Sequence, residues 1–410
     1  MREVELTIDS IAAGGDGVAR DAGRVVFVPR TAPGDVALVR LVEEKERFAR
    51  GRLAAVRTPS PSRIEPPCPH YVHDDCGGCQ LQHLAYDAQL EAKRVVVRDA
   101  LARIGGVALE PPPTQPSLRP WRYRRKLTLA LRRRGARWIA GLHPYHDASA
   151  VFELRDCPIT DERVVAVWKE ILGAAGLLPQ AQSLRGAVRL VDGGASFVLE
   201  GGTRWNASDA FFRAVPSLAA LWWRREGGTP RLLAERGAAA AASASFVQVN
   251  EEVADALRAH VLAVAAAHAP ARIVDAYAGA GATAVPLAAA GARVTAIELD
   301  RDASARTASL LPEGSRAIAG RVEDRLGEAL PADLVIVNPP RTGVDARVTT
   351  ILAAATPAPR AIVYVSCNPA TLARDIARLP GWRVRSIRLF DMFPQTAHVE
   401  TVCELVPEAA

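Results

Sequence analysis

Between residues 272 and 356 the chain alternates short β-branched runs with amphipathic stretches, and no other feature restricts its fold so strongly. Such alternation predicts a parallel sheet covered by helices, because each crossover between parallel strands needs a helix-length return. The run opens with Ile273-Val-Asp275-Ala-Tyr277-Ala-Gly279-Ala-Gly281-Ala-Thr283, a strand feeding a glycine-rich turn and then a helix. Nineteen residues beyond Gly279, Glu298 closes the next strand. Glycines in that turn let backbone approach a ligand, and an acid at that distance grips ribose hydroxyls. The layout predicts a nucleoside site. NAD and S-adenosyl-L-methionine fit it about equally.

Further on, Ala361-Ile-Val-Tyr-Val-Ser366 reads as a buried strand, followed at once by Cys367, Asn368-Pro369 and a helical repeat over 371–378. Open α/β sheets present reactive groups at the carboxyl ends of their strands. Asp391-Met-Phe-Pro-Gln-Thr-Ala-His398-Val-Glu400 then places a histidine and carboxylates between two further strand-like runs. Taken alone, Cys367 reads as a small buried hydrophobe, the commonest fate of a free cysteine.

The chain ahead of this region divides at a proline-rich connector, residues 58–67. Residues 3–57 alternate short strands with Gly- and Asp-rich turns, which predicts a small closed or nearly closed barrel. After the connector come Cys68, Cys76-Gly-Gly-Cys79 and, at a distance, Cys157. Thiols bracketing two glycines read as a metal or cluster site, with zinc and an iron–sulfur cluster both open on spacing. A long helix is expected over 84–104, stopped by Gly105-Gly106. Residues 119–138 hold nine Arg or Lys, no acid, and Trp121, Tyr123 and Trp138. That mixture predicts RNA contact, cations on phosphates and aromatic faces on unpaired bases. The bland alternative is a hairpin with a solvated arginine face. Gly186–Glu200 and Phe246–Val249 are expected to extend the same small sheet, with a helix over 161–173 beside it. Ala238–Ser243 reads as a tolerant turn.

Ser366-Cys367-Asn368-Pro369 with the 391–400 segment resembles the catalytic end of the RNA (uracil-5) methyltransferases. The resemblance extends over nearly the whole chain. Residues 1–58 resemble the TRAM domain, an OB-like RNA-binding barrel, through Gly14-Gly-Asp-Gly17 and Val28-Pro-Arg-Thr-Ala-Pro-Gly-Asp35. Residues 59–245 are expected to form a central α+β domain, and 246–410 a class I, Rossmann-like S-adenosyl-L-methionine-dependent catalytic domain. Asp275 ahead of the Gly-x-Gly turn is typical of methyltransferases.

The resemblance implies Cys367 as nucleophile and Glu400 as base, working through a covalent Cys–C6 uridine adduct. For the cofactor it implies Gln248, Asp275, Tyr277, Gly279, Gly281, Glu298 and Asn338. For a [4Fe-4S] cluster it implies Cys68, Cys76, Cys79 and Cys157, in a structural rather than a redox role. His70, His73 and His83 are expected to be bystanders. A helix N-terminus after Cys367 is expected to lower its pKa. Two positions depart from the family pattern. Asn338 stands where an Asp is usual, in a form found in enzymes that methylate exocyclic amines, and Arg321 stands where an acid often meets adenine, with Glu323 or Asp324 as substitutes.

A barrel plus a cluster most resembles the branch acting on 23S ribosomal RNA, with transfer RNA second. An RNA N-methyltransferase using Asn338, or an RNA-binding protein without activity, are the other classes. A net charge of +6 does not itself identify a nucleic-acid binder. No run of about eighteen apolar residues occurs, which excludes a helical membrane span. The N-terminus lacks a signal-peptide layout, so cytoplasmic location is the expectation, with no obligate protein partner evident.

Overall fold

The computed structural model describes residues 2–237 and 248–408. Three sheets organise it. The expected turn over Ala238–Ser243, and Phe246 and Val247 of the expected strand, lie outside the described residues.

The first sheet has six strands, in the spatial order Glu3–Thr7, Val36–Glu44, Phe48–Thr58, Arg24–Val28, Gly17–Asp21, Ser10–Ile11. Its alternating inward residues, among them Leu6, Ala19, Val26, Val39 and Ala49, close one apolar core. Asp35 of the Pro-Gly-Asp turn is fully buried. It accepts from Ala32 N and Ser60 N and pairs with Arg63, which ties the barrel to the proline-rich connector.

The second sheet has seven strands, ordered Phe152–Glu153, Arg137–Leu142, Lys126–Arg134, Ser183–Val191, Gly194–Glu200, Leu218–Arg224, Arg231–Glu235. Helix Glu162–Gly173, capped by Asp161, covers one face, with Trp168 edge-on to Phe197 at 5.6 Å.

The third sheet carries the alternation read from the sequence. Its order is Arg316–Ala319, Arg293–Glu298, Arg272–Ala276, Leu334–Val337, Ala361–Ser366, Glu400–Pro407, Trp382–Phe390, Thr114–Gln115. All neighbours are parallel except Glu400–Pro407, which runs against both of its partners. The edge strand Thr114–Gln115 and helix Tyr86–Gly105 come from the stretch expected in the central domain. Val97 and Leu101 of that helix share a core with Leu372, Ala373 and Ile376. A Cβ on Gly105 would meet Ala373 O at 3.2 Å, so the helix lies close on helix Pro369–Ala377. Residues 86–115 are thus built into the third unit. The apolar stripe of a helix does not announce which sheet it will cover.

Candidate active site

Strand Ala361–Ser366 is rich in β-branched residues and buried at every position. It pairs antiparallel with Glu400–Pro407, Ser366 opposite Thr401. One step beyond that pair, the register sets Cys367 beside Glu400. Asn368 ends the strand and caps the following helix, accepting from Ala370 N at 3.0 Å, with Pro369 in the first turn. Cys367 is half-buried and Glu400 is 6% exposed.

Burial, then the neighbouring Glu400, pushes the Cys367 thiol up, against the opposing pull of Arg341. This corrects the expectation of a lowered pKa: Asn368 already occupies the helix N-terminus, and the nearest charge on the strand side is a carboxylate. Burial raises Glu400 itself to about 7, again against Arg341. A carboxyl poised there can exchange a proton at neutral pH. His398 lies 3.4 Å from Arg341 and edge-on to Phe393 at 5.7 Å. Burial and the charges of Arg341, Lys93 and Arg124 push it down to about 4, so it is neutral. The signs give a pH dependence. Both Cys367 and Glu400 must lose a proton to act, so turnover should climb from pH 6 to 9, with the base-dependent step showing a midpoint near 7. Rapid-quench rates across that range check this, and a rate that falls over the interval would contradict it.

The loop ahead of Glu400 is held by residues that sequence reasoning missed. Lys93 and Asp391 form a buried pair at 2.5 Å, and Tyr86 Oη donates to the same carboxylate at 2.7 Å. Gln89 Nε2 donates to Gln395 Oε1 at 2.9 Å and Gln89 Oε1 accepts from Gln395 N at 3.0 Å. These bonds fix Gln395 at a φ of +70°, a left-handed conformation that non-glycine residues seldom adopt. Polar residues at 86, 89 and 93 sit on the same helix face as buried Val97 and Leu101. A polar row on an apolar stripe was the available signal.

At the nucleoside turn, Asp275 is completely buried, accepts from Thr283 Oγ1 at 2.5 Å, and leaves its Oδ1 without a partner. Burial raises it to about 6. Tyr277, Gly279 and Gly281 all have positive φ, and a Cβ on Gly279 would meet nothing within 4 Å. An orphaned buried oxygen beside an open glycine cradle fits a nucleoside cofactor. Glu298 accepts from Gly279 N at 2.8 Å and Asp300 N at 2.8 Å, which orients it at the mouth of that turn. Asn338 is exposed at the end of strand Leu334–Val337, and Gln248 is half-buried just before the Asn250 cap of helix Glu251–Ala267. At the departing position, Arg321 and Arg347 both pair with Glu323, and Arg347 also pairs with Asp324.

Cys68, Cys76, Cys79 and Cys157 are all buried and line one cavity of about 310 Å³, together with Arg124, Arg341 and His398. Burial, with mutual repulsion among the sulfurs, raises Cys76 to about 12 and raises Cys79 and Cys157 as well. Gly78 N donates to Cys76 Sγ at 3.4 Å. Among the described residues, no group of three or more His, Cys, Asp or Glu has the arrangement to hold a metal ion. His70 Nδ1 meets Asp74 and its Nε2 accepts from Arg155 N, while His83 bridges Tyr71 and Thr31 O. Those two rings are fully engaged as structural groups.

The basic stretch is more heavily neutralised than its composition predicts. Arg122 pairs with Asp156 and Glu162, Arg125 with Glu251, Arg137 with Glu153 and Arg119 with Glu252. Tyr123 is core, its Oη donating to Pro394 O at 3.0 Å, and Trp121 and Trp138 pack on the same core. What remains for phosphates is narrower. Lys126 stands opposite Arg189 on the next strand, and burial with Arg189, Arg185 and Arg124 pushes its pKa down.

Comparison with known proteins gives matches at both ends of the chain and along nearly its whole length. Residues 1–54 match the TRAM domain and 313–406 match the tRNA (Uracil-5-)-methyltransferase family. The chain is 35% identical over 444 residues to an uncharacterized RNA methyltransferase of Thermosynechococcus vestitus, covering 98% of this chain and 97% of that one. It is likewise 35% identical over 448 residues to an uncharacterized RNA methyltransferase of Gloeobacter violaceus, at 98% and 96% coverage. In fold it resembles the Pyrococcus abyssi tRNA (uracil-54, C5)-methyltransferase solved with S-adenosyl-L-homocysteine. The TM-score is 0.73 at 23% identity, covering 98% of this chain and 99% of the other.

Proposed function

This chain belongs to the RNA (uracil-5-)-methyltransferase family, and we propose that it methylates C5 of a specific uridine in structured RNA, 23S ribosomal RNA before transfer RNA, using S-adenosyl-L-methionine. The observation that carries this reading is the antiparallel register that sets Cys367 beside Glu400, a carboxyl raised to about 7.

Uracil C5 is a weak nucleophile and its proton is not acidic. Cys367 Sγ, once deprotonated, adds to C6 and pushes electron density onto C5. S-adenosyl-L-methionine, when bound, would supply C5 with an electrophilic methyl group, its S–CH3 bond breaking to leave S-adenosyl-L-homocysteine. Glu400 then removes the C5 proton, the C5=C6 bond re-forms, and the C6–S bond breaks to return the thiolate. Arg341 faces both groups and favours each anion as it forms. Asp275, Tyr277, Gly279, Gly281 and Glu298 hold the nucleoside of the methyl donor, with Gln248 and Asn338 at its edge. Reaching C6 and C5 requires the uridine to be out of the stack. The Lys126 and Arg189 strands and the barrel supply the RNA-facing surface.

Cys68, Cys76, Cys79 and Cys157 would hold a [4Fe-4S] cluster in this reading, supported by four buried thiols on one cavity, although among the described residues no three of them converge on a single metal ion. Bound cationic iron would remove the repulsion among those sulfurs. Mapping 5-methyluridine in ribosomal and transfer RNA from a deletion strain tests the substrate. Loss of one 23S site is expected; loss from transfer RNA alone would transfer the assignment, and a methyl found on nitrogen would hand the chemistry to Asn338. Iron and sulfide in anaerobically prepared protein are expected, whereas stoichiometric zinc would replace the cluster.

A further inference from the structure

We propose that Gln80, in the cysteine turn, is a positioning residue for the catalytic base, holding the main chain that leads into Glu400; the proposal rests on the assignment of Cys367 and Glu400 above. Gln80 Nε2 donates to Gly77 O at 2.9 Å, inside the Cys76–Cys79 turn, while its Oε1 accepts from Ala397 N at 3.2 Å. One amide therefore spans from the sulfur-bearing turn to a peptide three residues ahead of Glu400. The contact is doubled along the main chain, since Gln80 N and Leu81 N both donate to Gln395 O, at 3.1 and 3.0 Å. Tyr71 Oη donates to Gln80 O at 3.3 Å from behind.

The barrel closes the same joint. Gly15, at φ +89°, is so near that a Cβ there would lie 2.6 Å from Gln80 Cβ and 3.1 Å from Ala397 Cβ. Tyr145 Oη donates to the neighbouring Asp16 at 2.5 Å. The Gly-Gly-x-Gly turn is thus a docking element between the three units, a role its sequence did not announce. Beyond the joint the chain runs through His398, which meets Arg341, into Glu400 at the start of its strand. Gln89 fixes Gln395 from the opposite side. Among the described residues only Gln80 offers a side-chain acceptor to Ala397 N, so removing it frees the final approach to Glu400 while leaving the Gln89 anchor in place.

Proton removal needs the base aligned with C5, and a displacement of about 1 Å costs roughly 100-fold. Methyl transfer, which precedes it, does not use Glu400. Gln80→Ala should therefore slow resolution of the methylated Cys367–RNA adduct by about 10- to 100-fold. Methyl transfer itself should stay within about threefold of wild type, so adduct accumulates on denaturing gels. Gln80→Glu keeps the acceptor for Ala397 N but turns a carboxylate oxygen toward Gly77 O in place of the donor, so it should restore part of the release rate. Affinity for S-adenosyl-L-methionine, measured by calorimetry on the same preparations, should stay within about twofold, which reports an intact catalytic domain. Wild-type release by Gln80→Ala would overturn the proposal, as would equal slowing of methyl transfer and release in both variants. Glu400→Gln is run alongside. If that variant formed no adduct, the assignment of the base itself would fall; if it did while Gln80→Ala behaved as wild type, only the role of Gln80 would.

Discussion

Alanine in place of Cys367 is expected to abolish methylation, by roughly 10⁴-fold or more, about 5 kcal/mol of transition-state stabilisation. The size follows from what the sulfur does. Without addition at C6, the ring carbon that must take the methyl has no enolate character, and among the described residues this sheet offers no exposed second thiol. Cys403 is the nearest in the sheet, on the neighbouring strand opposite Tyr364, and is completely buried. The nucleoside site should be untouched, since Asp275 and Glu298 lie on other strands of the same sheet, Gly279 lies in the turn between them, and they hydrogen-bond to one another and to Thr283 and Asp300. Affinity for S-adenosyl-L-methionine should therefore stay within about threefold, and no covalent RNA band should form. Cys403→Ala is the matched control. It removes a sulfur from the core and should cost on the order of 1 kcal/mol of stability with the rate per folded molecule unchanged. Methylation by Cys367→Ala at near the wild-type rate would remove the nucleophile assignment.

What the sequence made legible was local chemistry. A β-branched run ending in Cys-Asn-Pro predicted a buried strand, an exit thiol and a following helix, and the structure has all three, with Asn368 added as the helix cap. The glycines of the nucleoside turn and the small barrel were equally direct, because turn and strand signals act within a few residues. What remained hidden depends on partners far away in the chain. Arg119, Arg122, Arg125 and Arg137 looked uncompensated because their acids, Glu252, Asp156, Glu251 and Glu153, lie in other elements. Tyr123 looked like a stacking platform and is core for the same reason. The Cys367 pKa was read from the helix behind it, when burial and the carboxylate across the strand pair decide the sign. Tyr86, Gln89 and Lys93 act on a loop some three hundred residues away, so only their misplacement on an apolar helix face marked them.

Glu400→Gln should separate catalysis from stability, moving the two in opposite directions. The substitution keeps the shape of a side chain that is 6% exposed and removes only its capacity to take a proton. Thiol addition and methyl transfer can still occur, but the C5 proton has no acceptor and the C6–S bond cannot break. A methylated protein–RNA adduct should build up toward one per enzyme, resistant to denaturant, with steady turnover reduced by on the order of 10³-fold. Stability carries the opposite sign. The folded carboxyl is raised to about 7 from 4.5 by burial, so its favourable, protonated burial is fully present below about pH 4.5 and is lost as pH rises through 7. Above pH 8 the wild type buries an anion at a cost of about 3 kcal/mol that an uncharged amide does not incur. Denaturant midpoints should thus differ least below about pH 4.5, move apart between there and about pH 7, and stay apart above it, the variant being the more stable. A glutamate that served only packing would lose stability on substitution at every pH and would leave turnover clean. A base held against its own ionisation predicts the reverse on both counts, and clean turnover by the variant would reassign the proton to another group.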